Sequence, residues 1–394
     1  MVGSDRHETD GAGPLAGLRV IELAGLGPGP FAAMLLADLG ADVVRVDRPD
    51  RGSRGPDPRL YAMHRGRRSV AVDLKHPDGR DVVRRLVNGA DVLMEGFRPG
   101  VAERLGLGPD DCLARNPGLV YGRMTGWGQD GPLASTAGHD IDYIAVSGAL
   151  STCARQGERP VPPVNMLGDL GGGGAFLVIG VVAALWERTR SGRGQVVDAA
   201  MVDGSAVLTT MLHGMLAQGR WQDEAGVNFA DTGSPYYEVY ECADGRHVAV
   251  GAIEGPFYRE LLDGLGLDEA SLPPRRDPAN WPALKARFAD VFRTRPRDEW
   301  AERFATSDAC VAPVLTLTEA PHHPHNQTRA TFVEHGGVVQ PAPAPRFDRT
   351  PTHLRRTPPG PGDDTDEVLV EAGYQPREID RLVESGVVSR RAET

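Results

Sequence analysis

The chain has 394 residues and a formal net charge of −11, long enough for two or three domains that each bury a core without staples. The acidic balance argues against a general nucleic-acid or anionic-membrane binder, because phosphate binding needs a basic surface that releases counterions. Cys112, Cys153, Cys242 and Cys310 are widely scattered, which fits reduced thiols in a cytoplasm better than a disulfide framework or a zinc motif. No signal peptide is expected, since the start from Met1 to Gly13 is polar, and the apolar run from Ala175 to Trp186 stops short of the roughly 20 residues that cross a bilayer.

Leu18 to Leu23 reads as a strand, Ala24-Gly25-Leu26-Gly27-Pro28-Gly29-Pro30 as a turn, Phe31 to Leu39 as a helix and Asp42 to Val46 as a second strand. Units of this kind wind right-handedly into parallel sheets. Strands are predicted at Val70 to Leu74, Ala90 to Met94 and Leu119 to Met124, with a helix at Gly79 to Val87. The alternation predicts an α/β fold, an open Rossmann-like parallel sheet whose ligands sit at the carboxyl ends of its strands. Leu170 to Arg188 reads as a long, mostly apolar helix with a cationic last turn and a stop at Gly192.

Asp198 to Gly219 reads as another helix, with Met201, Val202, Val207, Leu208, Met211, Leu212 and Met215 at helical spacing. Such a stripe packs a core or an interface more often than a cofactor. Tyr236 to Cys242 and His247 to Val250 flank Ala243-Asp244-Gly245-Arg246, a hairpin signature. Helices at Phe257 to Leu265 and Leu284 to Phe292 make this a smaller α+β domain. Pro341 to Pro361 is extended, and a helix from Asp364-Thr365-Asp366-Glu367 through Val368 to Ala372, then a last helix ending near Gly386, returns to the first domain. The expected boundaries are residues 14–200 with 340–388 for the large domain, 201–233 for a linker helix and 234–330 for the small domain.

Two proton carriers stand in glycine-rich turns: His139 in Gly138-His139-Asp140-Ile141, and Asp169 in Met166-Leu167-Gly168-Asp169-Leu170-Gly171-Gly172-Gly173-Gly174. Each has a plain structural reading, His139 as a satisfied turn residue and Asp169 as an N-cap. Together they suit chemistry, because neutral imidazole takes a proton near neutral pH and a desolvated carboxylate complements it. Free N–H groups of a helix starting at Leu170 would stabilise an oxyanion such as an enolate. Other motifs weigh less. Gly27-Pro28-Gly29-Pro30-Phe31-Ala32 with Asp47 fits a loose dinucleotide fingerprint. Pro28 and Pro30 remove N–H donors, however, and Arg45 and Arg48 flank the acid. His322, His323 and His325 lie in a proline-broken loop that does not present ligands on one helix face. The basic group Arg45, Arg48, Arg51, Arg54, Arg65, Arg67, Arg68 and Lys75 reads either as a solvated surface or as a seat for an anionic small molecule.

Glu22 to Pro30, Arg45-Val46-Asp47-Arg48-Pro49, Gly126-Trp127-Gly128-Gln129, Ala137 to Ile141 and Gly168 to Gly173 together resemble the family III CoA transferases, in their α-methylacyl-CoA racemase branch. Glu187-Arg188, Gly194 to Met201 and Tyr240 to Gly245 extend the likeness over about residues 14–388. The resemblance implies an interlocked homodimer with a CoA-binding large domain, acting on an acyl-CoA thioester in lipid metabolism. It implies no metal and no cofactor, coenzyme A being part of the substrate. By position His139 and Asp169 match the two acid–base residues, and Glu254, otherwise an ordinary strand-end acid, matches a carboxylate that pairs with the histidine.

Leu26, Arg48, Val72, Asp73, Leu74, Lys75, Arg98, Arg104, Ala137, Gly138, Asp140, Ile141, Asp142 and Tyr143 fall where the family contacts CoA. Asp142 departs from the asparagine usual after the His-Asp-Ile run. The activity implied is interconversion of (R)- and (S)-2-methylacyl-CoA by 1,1-proton transfer through an enolate. Two rivals stand beside it. One is a CoA transferase in which Asp169 attacks the acyl group, though such enzymes usually carry an aromatic residue at the place of His139. The other is an acyl-CoA-binding protein without turnover.

Overall fold

A computed structural model describes residues 13–49 and 57–391. Arg51, Arg54 and the polar start before Gly13 lie outside the described residues. The chain forms β1 (Arg19–Leu23), α1 (Pro28–Asp38), β2 (Asp42–Asp47), β3 (Arg67–Val72), α2 (Pro77–Asn88), β4 (Val92–Glu95), α3 (Val101–Arg104), α4 (Pro109–Arg115), β5 (Val120–Thr125) and α5 (Asp140–Val146). A wide helical segment, Met166–Ala175, runs on into α6 (Phe176–Ser191), followed by β6 (Val196–Ala200) and α7 (Met201–Leu208). Then come α8 (Thr210–Ala217), β7 (Tyr237–Glu241), β8 (His247–Gly251), α9 (Gly255–Leu265), α10 (Trp281–Phe292), α11 (Arg297–Phe304) and β9 (Val311–Pro313). The return segment contains α12 (Pro324–Thr328), β10 (Phe332–His335), β11 (Val338–Pro341), α13 (Thr365–Glu371), α14 (Pro376–Glu384) and β12 (Val388–Ser389).

Seven strands make the large sheet in the order β12-β3-β2-β1-β4-β5-β6, all parallel but for β12 on β3. Its strands are rich in branched residues because both faces are covered. Alternation sends Ile21, Val44, Leu93 and Tyr121 to one face, under α2, α13 and α14, and Val20, Val43, Val92 and Val120 to the other, under α1 and α6. Each large side chain buried this way contributes about 1.5–3 kcal/mol. β3 begins three residues before the expected Val70, at Arg67. Hydropathy hides that start, since Arg67 and Arg68 are buried only through ion pairs to Glu22 and Asp42.

Asp198 to Gly219 is not one helix. Val196–Ala200 pairs with Tyr121–Thr125 as the sheet's edge strand, so tertiary pairing overrides the helical spacing, and the remainder breaks at Thr209 between α7 and α8. The apolar helix also starts earlier than Leu170. Met166–Ser191 is one run of 26 residues, long and apolar enough by length and composition to cross a membrane. Leu177, Val181, Ala184 and Leu185 of this run are nonetheless buried in the sheet's core, and Gly122 of β5 leaves room for Leu177 and Val181.

The chain divides into two compact units, one ending at Ser147 and resuming over Val164–Leu208 and from His325, the other comprising Gly148–Pro163 and Thr209–Pro324. The expected boundaries shift accordingly. α7 joins the large unit because Gly204 packs directly on the Gly172 backbone. The hairpin β10–β11 joins it because Arg65 donates to Gln340 at 2.9 Å. Residues 148–163 join the small unit, where Arg155 meets Glu238 at 2.7 Å, so 201–233 is no linker helix. The small unit has an antiparallel β7-β8-β9 sheet over an aromatic core that includes Tyr240 stacked on Phe292 at 5.0 Å between ring centroids. All four cysteines are free thiols.

Candidate active site

In the large sheet β2 lies on one side of β1 and β4 on the other, which opens a crevice at the carboxyl ends where connections diverge. A cleft of about 380 Å³ occupies it, walled by the loop Gly25–Pro30 after β1, Gly96–Pro99 after β4 and Gly126–Trp127 after β5. His139 and Asp169 both line this cleft. A wider, shallower groove of about 720 Å³ crosses the small unit at Arg155, Glu238 and Lys285 and holds none of the expected site residues.

His139 is the N-cap of α5, with its side chain exposed. Its backbone N–H donates to Asp142 Oδ2 at 2.9 Å, so the unusual Asp142 closes the first turn of α5 and fixes the entry of the chain that carries the histidine. Asp140, 3% exposed, turns inward, and its Oδ1 accepts the backbone N–H of Asp169 at 2.6 Å. Only glycine fits at 168, where an added Cβ would lie 2.5 Å from that same Asp140 oxygen.

Asp169 is not an N-cap. The helix begins at Met166 behind Asn165, which sits in the left-handed region at φ 59. The segment is wound as a π-helix, a form that concentrates at functional sites, and Leu170 N–H bonds Asn165 O at 3.2 Å. The expected oxyanion donors are therefore spent, Leu170 on Asn165 and Asp169 on Asp140. The Asp169 carboxylate accepts from Asn165 Nδ2 at 2.8 Å. A Cβ on Gly27, itself at φ +65, would lie 3.1 Å from Asp169 Oδ2. Burial raises the Asp169 carboxyl above its ordinary range and the Asp140 charge adds to this, while the Asn165 bond and His139 oppose it. A half-buried acid that holds its proton more tightly is suited to donate it.

Tyr143 packs edge-to-face on Trp127 at 4.8 Å between ring centroids, in space that only glycine at 126 and 138 leaves open. Burial, reinforced by the Asp169 charge, pushes its phenol up to about 12. Of the expected CoA contacts, Leu26, Arg98, Ala137, Gly138 and Tyr143 line the cleft. Arg48, Lys75, Arg104, Ile141 and Asp142 are exposed beyond its lining, and Asp73 is engaged in a turn, accepting Lys75 N–H at 2.9 Å. The Val72 side chain is fully buried, and the partly buried Leu74 packs on the same core. Arg65, Arg67 and Arg68 are likewise buried in ion pairs rather than forming a surface patch.

Glu254 lies in the small unit as the N-cap of α9, with an exposed side chain. His322, His323 and His325 fall on short turns, and among the described residues no three His, Cys, Asp or Glu side chains cluster closely enough to hold a metal ion. Sequence reasoning missed Asn165 and the bridging role of Asp140. An asparagine just before a glycine-rich helix was the available signal for the first, because asparagine tolerates positive φ.

The profile of CoA-transferase family III matches residues 15–365. The chain is 50% identical over 378 residues to the α-methylacyl-CoA racemase of Mus musculus, covering 94% of this chain and 98% of that one. It is 47% identical over 382 residues to the Homo sapiens enzyme of the same name, covering 95% and 98%. A crystal structure of a CAIB/BAIF family protein from Brucella suis superposes with a TM-score of 0.80 at 28% identity, covering 92% of this chain and all of that one. The chain therefore belongs to CoA-transferase family III.

Proposed function

We propose that the protein is a racemase that interconverts (R)- and (S)-2-methylacyl-CoA thioesters by 1,1-proton transfer, with His139 and Asp169 as its two acid–base residues. The observation that carries this reading is the pairing of both side chains on one cleft, their turns joined through Asp140. The likeness to racemases over nearly the whole chain supports it.

In one direction neutral His139 takes the α-proton and the C–H electron pair moves into a C=C bond, leaving the charge on the thioester oxygen as an enolate. Protonated Asp169 returns a proton to the opposite face, and the site is left with a cationic imidazole and a carboxylate. The reverse direction starts from that state. The raised Asp169 carboxyl brings the two protonation states closer in energy, which is what a two-way reaction requires.

CoA is proposed to enter past Leu26, Arg98 and Ala137 to Tyr143, with the exposed cations Arg48, Lys75 and Arg104 of the same unit available to its phosphates. No cofactor beyond the substrate's own CoA is invoked. Glu254 is assigned to the reaction by the resemblance alone, as the partner of His139. A homodimer is part of the proposal because α6 and β6 leave Ile179, Trp186 and Val196 at 62%, 68% and 41% exposure on the large unit, a surface that water does not favour.

The test incubates each enantiomer of 2-methyldecanoyl-CoA in deuterated water, with and without a carboxylic acid acceptor. Deuterium at the α-carbon with loss of stereochemical purity supports the racemase. Acceptor-dependent CoA transfer supports a transferase with Asp169 as nucleophile, and thioester binding without exchange supports a binder; either result overturns the proposal. His139→Ala and Asp169→Ala should each lose racemisation by about 10²–10⁴-fold.

A further inference from the structure

Arg67 occupies an unusual place for a cation. It is 1% exposed, stands at the start of β3 and does not line the cleft. Its Nε lies 3.0 Å from Glu22 Oε2, its Nη1 donates to Met63 O at 2.9 Å and its Nη2 donates to Pro30 O. Glu22 is 2% exposed, stands one residue before the end of β1 and forms part of the cleft wall. One guanidinium therefore grips the chain on both sides of the turn, the Glu22 carboxylate before it and the Pro30 carbonyl after it. A planar guanidinium holds several acceptors in a fixed fork, a geometry that the compact lysine ammonium does not reproduce.

What the turn touches gives the grip a purpose. Gly27 sits over Asp169, where a Cβ would come within 3.1 Å of Oδ2. Pro28 lies against Gly173 and Gly174, on the glycine face of the helix that carries Asp169, with its carbonyl oxygen 2.8 Å from where a Gly174 Cβ would stand. We propose that Arg67, paired with Glu22, is a positioning residue that clamps the Gly25–Pro30 turn and holds Gly27 over the Asp169 carboxylate, excluding water from one proton carrier. The inference rests on the racemase reading.

Burial is the largest cause of the raised Asp169 carboxyl, so a loosened turn lets that value fall. A lower Asp169 value moves the acid limb of kcat/KM to lower pH. It also leaves less of the protonated Asp169 that returns the proton, lowering the plateau. A merely structural role would reduce the folded fraction without moving the limb.

Arg67→Lys keeps the charge beside Glu22 and removes the fork. The experiment measures racemisation of 2-methyldecanoyl-CoA from about pH 4 to 9, a span that brackets ordinary carboxylate and imidazole titration, with folding checked by circular dichroism. A folded variant whose acid limb moves down and whose plateau falls supports the inference, and an unmoved limb overturns it. Should Arg67→Lys fail to fold, the double variant Glu22→Gln with Arg67→Met removes both buried charges together and is read by the same limb. Wild type that exchanges no α-proton defeats the racemase reading itself. Wild type that exchanges beside a variant with an unmoved limb defeats this inference alone.

Discussion

Asp140 Oδ1 accepts the backbone N–H of Asp169 at 2.6 Å, and this bond ties the turn that carries His139 to the one that carries Asp169 across twenty-nine residues of chain. Each carboxylate takes a different task. Asp140 is buried and structural, holding the turn behind His139 to the first turn of the Asp169 helix, while Asp169 faces the cleft. Asp140→Ala should therefore act on geometry, and it also removes a charge that helps to hold the Asp169 carboxyl above its ordinary range. It leaves the Asp169 amide without its acceptor, at a cost of about 1–3 kcal/mol in urea denaturation. kcat should fall while KM for the thioester stays within a few-fold.

The raised Asp169 carboxyl has a consequence for stability. Its native value lies above the ordinary 3.8, so the folded state binds this proton more tightly than the unfolded chain. That contribution is fully present below about pH 4 and is lost as pH rises through the native value. Asp169→Asn should accordingly be more stable than wild type at pH 7, and the difference should shrink on acidification toward pH 4. Urea midpoints at both pH values measure it; a larger advantage at pH 4 would contradict the assigned direction.

Asp142 tests the one departure from the family pattern. Its carboxylate accepts the His139 N–H at 2.9 Å, and an asparagine carbonyl oxygen accepts from the same donor. Asp142→Asn should leave racemisation within about twofold, since RT ln 2 is well below the roughly 1 kcal/mol of a net hydrogen bond. Asp142→Ala should cost about 1 kcal/mol and lower kcat. Steady-state kinetics on the pair separates a capping role from a charge role.

Arg68 binds the end of the chain to its beginning. Its side chain, 5% exposed, meets Asp42 at 2.6 Å on β2 and both Glu367 and Glu371 of α13 at 3.0 and 2.9 Å. Arg68→Met should lower stability by about 3 kcal/mol, the lower end for a broken buried pair because its carboxylate partners keep some contact with water. Hydrogen exchange should rise first in α13 and β12, where backbone protection depends on docking to β3.

The large sheet was legible because branched apolar runs separated by glycine turns have a local cause that survives folding. β1, β2, β4 and β5 start within two residues of the positions expected. β6 was not, since Val196–Ala200 becomes a strand only through pairing with Tyr121–Thr125, a partner about 75 residues away in sequence.

His139, Asp169 and the cleft's glycine turns could be named from residue types alone, because their chemistry resides in side chains that any fold must expose to be useful. Which neighbours tune them could not. Asp140 and Asp142 stand two positions apart and look alike, yet one reaches Asp169 and the other the His139 amide. The start of the Asp169 helix at Met166, the Asn165 bond and the burial of Arg65, Arg67 and Arg68 are likewise decisions of packing. The sequence by itself determined the kinds of group at the site and the sheet that presents them. Only the tertiary structure decided hydrogen-bond partners and burial, because both depend on chain segments far apart in sequence meeting at ångström distances.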